Sequence, residues 1–141
     1  MNVLIRSVDE PRLSDVIRAS VDMSDKDAKI IDYCHNISMT TWVGYNDERL
    51  VCAWGIIPPS ILSDEVYLWL HVTGAIRTSQ FLFVRHSQMF IQKTLKEYKA
   101  IVGHVKADAT GSKRWLKWLG AEFYPGKNGY LNFRIERHGP N

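Results

Sequence analysis

The stretch "EVYLWLHVTGAIRTSQFLFVRHSQMFIQKTLKEYKAIVGHVK", residues 65–106, holds two hydrophobic patterns and two changes between them. Residues 65–73 are dense in aromatic and branched side chains over a length that suits a central strand. Residues 80–98 place Phe83, Phe90, Ile91 and Leu95 near one another on a long helix with an apolar face. The run "AIVGHVKAD", residues 100–108, reads as a strand again. Strand, long helix and strand form a βαβ crossover, normally right-handed with its strands parallel.

Toward the amino terminus, two β-rich runs, residues 40–45 and 49–57, flank "NDE", whose asparagine and aspartate favour a turn; this predicts an antiparallel hairpin. Before it, "SDKDAKIIDYCHN" predicts a helix: Ser24 or Asp25 can cap the free amides, and Ala28, Ile31 and Cys34 or His35 recur at helical spacing. Pro11 is expected in the first turn of another helix, with Leu13, Val16 and Ile17 on one face. Residues 2–8 alternate around Val3, Ile5 and Val8 as a strand.

Toward the carboxyl terminus, "SKRWLKWLGAEFY", residues 112–124, predicts a short helix. Trp115, Leu116 and Leu119 are expected on the sheet, with Lys113, Arg114 and Lys117 mainly outward. Gly120 can take positive φ and stop the helix. Two strands about "PGKNG" finish the chain. The order β-α-α-β-β-β-α-β-α-β-β implies an α+β fold, a mixed sheet with helices on its faces, in one domain over residues 1–141.

Composition narrows the classes. Eighteen Lys and Arg stand against 15 Asp and Glu, scattered along the chain, so there is no polycationic arm. Nucleic-acid binding is permitted but not implied by that charge. Cys34 in a helical pattern and Cys52 in an apolar run read as packed, reduced thiols. No apolar run reaches the roughly 18 residues of a membrane span, and "MNVLIRSVDEPR" lacks a signal peptide's apolar core, so a soluble, non-exported protein is expected.

The element order, together with "RWLKWLGAEF", resembles the GNAT superfamily of N-acetyltransferases, whose chains have a short helix ending in glycine and an aromatic before the penultimate strand. A finer resemblance is to small GNAT-like proteins of short-tailed bacteriophages, associated with head assembly or the internal contents of the virion. It is carried by "YLWLHVTGAIR", "FVRHSQMFIQKTLKEY", "AIVGHVKAD" and "RWLKWLGAEF". The superfamily resemblance implies acetyl-CoA held beside the fourth strand, with amides at the start of the next helix on its pyrophosphate. It also implies a carboxylate or water chain as base, and a tyrosine that protonates the departing thiolate.

Carried onto this chain, the cofactor contacts fall on Val72, Thr73, Arg77, Thr78, Ser79 and Gln80. The segment "GAIRTSQFLF" lacks the glycines of the usual phosphate loop, and Thr78 or Ser79 equally reads as a plain helix cap. Four residues before Gly120, where the tyrosine is expected, stands Leu116; where an asparagine is common stands Ala109. Glu65 and Asp108, at strand ends, are the candidate bases and Tyr124 the candidate shifted acid. Each also has a bland reading as a solvated strand end or a strand aromatic. His71 and His104 would pair if their strands adjoin, but with no cysteine or carboxylate at ligand spacing no metal is expected. These departures imply a scaffold without chemistry, requiring no cofactor, that acts in the host cytoplasm or virion with other virion or head-assembly proteins. The alternative expectation is an acetyl-CoA-dependent N-acetyltransferase with an atypical loop.

Overall fold

A computed structural model of the chain describes residues 3–60, 62–73 and 80–137. The elements run β1 (Val3–Ser7), α1 (Leu13–Arg18), α2 (Asp25–Ile37), β2 (Thr40–Asn46), β3 (Arg49–Ile57), β4 (Glu65–Val72), α3 (Gln80–Glu97), β5 (Ala100–Lys106), α4 (Thr110–Trp118), β6 (Glu122–Pro125) and β7 (Tyr130–Glu136). This is the expected α+β order. The seven strands hydrogen-bond in the order β1-β2-β3-β4-β5-β7-β6. β4 and β5 pair in parallel, whereas β1 with β2, β2 with β3, β5 with β7 and β6 with β7 are antiparallel. Among the described residues, no helix is long and apolar enough to cross a membrane.

The contacts divide into two compact units, Met1–Ile57 with Trp69–Ser79, and Pro58–Leu68 with Gln80–Asn141. In the first, Leu13, Ile17, Val43, Leu50, Val51 and Cys52 form a fully buried centre. Pro11 lies outside α1 rather than in its first turn: the helix starts at Leu13, and Arg12 is an extended N-cap that makes no side-chain cap bond. A six-residue helix without a cap is held from outside. The Ser14 amide and hydroxyl, both buried, donate to the Asp32 carboxylate of α2 at 2.8 and 2.7 Å, with Arg12 Nε 3.7 Å away. Desolvation works against that carboxylate's charge, but the two bonds from Ser14, with the charges of Arg12 and His35, together hold the Asp32 pKa below the ordinary value.

Helix α2 begins as expected, with Ser24 Oγ accepting from the Asp27 amide at 3.1 Å. At its end Ser38 Oγ donates to the Cys34 carbonyl and accepts from Trp69 Nε1 at 2.7 Å. The Trp69 indole lies directly over Gly55, where a Cβ would sit 2.6 Å from the ring. Both cysteines are free, and burial pushes the Cys52 thiol up to about 12, so it stays protonated and unreactive.

In the second unit the α4 ending is a Schellman motif. Gly120 takes φ 95°, its amide donates to the Lys117 carbonyl, and the Ala121 amide donates to the Leu116 carbonyl, each at 3.0 Å. Trp115 and Leu116 are buried, Leu119 is half-buried and Trp118 is exposed. The β6–β7 turn uses positive φ at Asn128 and Gly129. Arg137 Nε donates to the Leu95 carbonyl at 2.6 Å and ties the last described residue to the end of α3.

Replacing Gly55 by alanine forces the Trp69 indole to move and breaks its bond to Ser38. The variant is expected to lose about 1–3 kcal/mol, read from the urea midpoint. Asp32 gives a pH signature. Because its folded pKa is depressed, its contribution is present above about pH 4 and is lost as pH falls through the lower folded value. Asp32→Asn should therefore be less stable than the parent at neutral pH, with the gap closing in acid denaturation curves; a gap constant with pH would exclude this account.

Candidate functional site

Register decides which side chains share a face. Tyr67 lies opposite Val102 in the parallel pairing, His104 is two residues further along β5, and His104 faces Asn132 of β7. Tyr124 of β6 faces Asn132 from the other side. Alternation therefore puts Tyr67, His104, Asn132 and Tyr124 on one face of this half of the sheet. The opposite face carries the buried Ile101, Val105, Phe133 and Ile135, with α3 in contact with β5. Gly103 belongs to that packed face, where any Cβ would run into the Leu68 carbonyl and the Phe133 ring.

The polar face holds a pocket of about 740 Å³. Tyr67, His104 and Asn132 line it from the strands, and the turn from Pro125 to Asn128, with Tyr130, completes it. Tyr67 Oη lies 2.7 Å from His104 Nδ1, and the ring centroids are 5.5 Å apart at 45°. When the phenol donates to Nδ1 the imidazole proton sits on Nε2; the reverse bond places it on Nδ1. Either way, two groups that can each give and take a proton are in direct contact at a pocket wall. Among the described residues of the lining, Lys127 is the one formally charged side chain.

Of the residues singled out from the sequence, His104 lines the pocket, whereas Glu65, Asp108 and Tyr124 are not among its described lining residues. Glu65 Oε2 is 2.5 Å from Arg134 Nη1, and Arg134 also pairs with Glu136. The hydrogen bonds that the Arg134 guanidinium donates to Glu136 and then to Glu65 raise its pKa, so it stays charged between both carboxylates. Asp108 is exposed after β5, its carbonyl accepting the Thr110 amide. Tyr124 is exposed and donates to Glu122 Oε2 at 2.7 Å, a bond that pushes its phenol above the ordinary value and makes it a weaker acid.

Val72 is half-buried at the end of β4. The Thr73 amide donates to the Val51 carbonyl and its hydroxyl to the Leu50 carbonyl. Arg77, Thr78 and Ser79 lie outside the described residues, as does the Gln80 side chain, although Gln80 opens α3. Leu116 is a core residue, 1% exposed. His71 is half-buried, and desolvation lowers its pKa against the opposing pull of Asp27. Among the described residues no group of three His, Cys, Asp or Glu could hold a metal ion. The structure thus joins His104 to Tyr67, a residue that strand patterning alone had marked only as an aromatic. A cross-strand pair of this kind becomes visible once the β4–β5 register is known.

No protein-family model matches the chain, and no curated protein does. Solved structures do match it. An acetyltransferase of Bacillus subtilis, solved in complex with CoA, is 11% identical, with 97% of this chain and 100% of that one covered at a TM-score of 0.70. A GNAT-family acetyltransferase of Staphylococcus aureus is 10% identical over 96% and 99% of the two chains, at 0.71. The ribosomal-protein-S18-alanine N-acetyltransferase of Escherichia coli is 14% identical over 99% and 98%, at 0.64. At such identities the likeness is one of architecture, and the architecture is that of the GNAT acetyltransferases.

Proposed function

We propose that the protein is an acetyl-CoA-dependent N-acetyltransferase whose proton transfers run through Tyr67 and His104. The observation that carries this reading is the 2.7 Å contact between Tyr67 Oη and His104 Nδ1 at the wall of a pocket of about 740 Å³. Acetyl-CoA supplies an activated thioester and a thiolate that leaves readily. The His104 imidazole takes the proton of an incoming ammonium or amine, and the phenol beside it keeps the ring oriented and can relay that proton.

Features of β4 and α3 fit the co-substrate. The parallel pairing covers only Glu65–Tyr67 against Ala100–Val102, while β4 runs on to Val72 and β5 to Lys106. From Tyr67 to Val72 is roughly 16 Å of extended strand, a length the pantetheine arm can follow. The 18-residue α3 then begins, with no acidic residue in its first turn to repel a pyrophosphate from its free amides. In this reading Val72, Thr73, Arg77, Thr78, Ser79 and Gln80 are the residues assigned to CoA, with the free amides at the start of α3 taking the place of loop glycines. Glu65, Asp108 and Tyr124 serve the fold and the surface instead of the chemistry.

A second reading draws on buried Leu116, which stands where the resemblance places a thiolate-protonating tyrosine. It makes the protein a scaffold without chemistry that acts in virion head assembly with other phage proteins. Calorimetric titration with acetyl-CoA separates the two. Binding, together with amine-dependent release of free thiol, is expected. Tyr67→Phe and His104→Gln should each lower kcat/KM by about 10²-fold or more while acetyl-CoA affinity is kept. No binding at millimolar acetyl-CoA would return the protein to the assembly reading.

A further inference from the structure

Helices α3 and α4 touch one another and carry charge out of proportion to the chain. They hold six of its 18 Lys and Arg and one of its 15 Asp and Glu. Twelve cations and fourteen carboxylates are left for everything else. The small net charge of the whole sequence therefore hides a basic helical layer set against an acidic remainder.

The cations are exposed at regular spacing. On α3, Arg85, Met89, Lys93 and Lys96 fall at intervals of four, four and three residues, all exposed, forming a stripe roughly 16 Å long. On α4, Arg114 and Lys117 are exposed beside Trp118, which is 60% exposed and stands one turn after Arg114. None of the six cations is in an ion pair among the described residues, and Glu97, at the end of α3, is the single opposing carboxylate on the two helices. Trp115 and Leu116 already secure α4 to the core, so packing does not account for a tryptophan left in water beside an arginine.

We infer that the outer surface of α3 and α4 binds single-stranded nucleic acid, with Arg85, Lys93, Lys96, Arg114 and Lys117 on phosphates and Trp118 stacking on an unpaired base. A polyanion matches the charge, and the exposed indole selects among polyanions. A base in a duplex is already stacked, whereas a single strand offers its π-face to Trp118. This inference is independent of the acetyltransferase reading, since it uses none of the residues around Tyr67 and His104.

The test is fluorescence anisotropy of a labelled 20-nucleotide thymidine strand with the full chain. Binding should weaken with salt along a log–log slope of about −3 to −4, as expected for four to six phosphate contacts. The strand should quench tryptophan emission and bind more tightly than a duplex of the same length. Trp118→Ala should weaken binding about tenfold or more. The double variant Arg114→Glu, Lys117→Glu should weaken it further and flatten the slope by about 1 to 2. These positions are exposed, so thermal melting should stay near the parent's and shows that a loss of binding is not a loss of fold. No binding at low salt overturns the inference. So does retention of full affinity in Trp118→Ala, or equal displacement of the strand by poly-glutamate, which would mark the surface as one for an acidic protein.

Discussion

The parallel pairing of Glu65–Tyr67 with Ala100–Val102 is the constraint on which the second unit depends. Two parallel neighbours cannot be joined by a tight turn, so the chain between them must travel back along the sheet, and an 18-residue helix does so. The approach is close because residue 103 has no side chain. The Leu68 carbonyl and the Phe133 ring occupy the space a Cβ would need. Two residues of register then place His104 Nδ1 beside Tyr67 Oη. The same glycine that lets the buried face close sits next to the histidine that faces the pocket.

That arrangement divides labour between the two faces. Ile101, Val105, Phe133 and Ile135 are buried and supply hydrophobic stabilisation. The alternate positions, freed from packing, carry His104, Asn132, Arg134 and Tyr124. Even there, groups that could do chemistry differ in their commitments. Glu65 is engaged by Arg134, and Tyr124 by Glu122, whereas Tyr67 and His104 are engaged with each other, a contact in which a proton can pass either way.

Much of the fold was legible because its signals are local. Ser24 as a cap, Gly120 as a stop and the periodicity of residues 80–98 each depend on neighbours within a few positions, and the structure bears them out. Pro11 shows the limit: its position suited a first turn, but α1 starts at Leu13 because Ser14 must reach Asp32, 18 residues away. The pocket was legible only in part. His104 stood out as a strand histidine, but its partner depends on a pairing 37 residues apart, and nothing in the local pattern distinguishes Tyr67 from any other strand aromatic. The basic layer was hidden for a different reason: net charge sums over the chain, whereas a surface is made by whichever helices lie side by side.

Leu116 draws these threads together. A proton donor on α4 would have to project from the helix toward bound substrate, but here that position is given to the core, and Trp115 joins it there. Trp115 and Leu116 pack inward, Arg114, Lys117 and Trp118 face outward, and α4 has no tyrosine among its nine residues. The chemistry, where the fold keeps it, has to sit on strands instead. β4 and β5 are suited to that role, because strand side chains in register are held by the ladder itself rather than by a short helix that packs through one stripe. Under the acetyltransferase proposal, the leucine marks a change in which element would carry the proton.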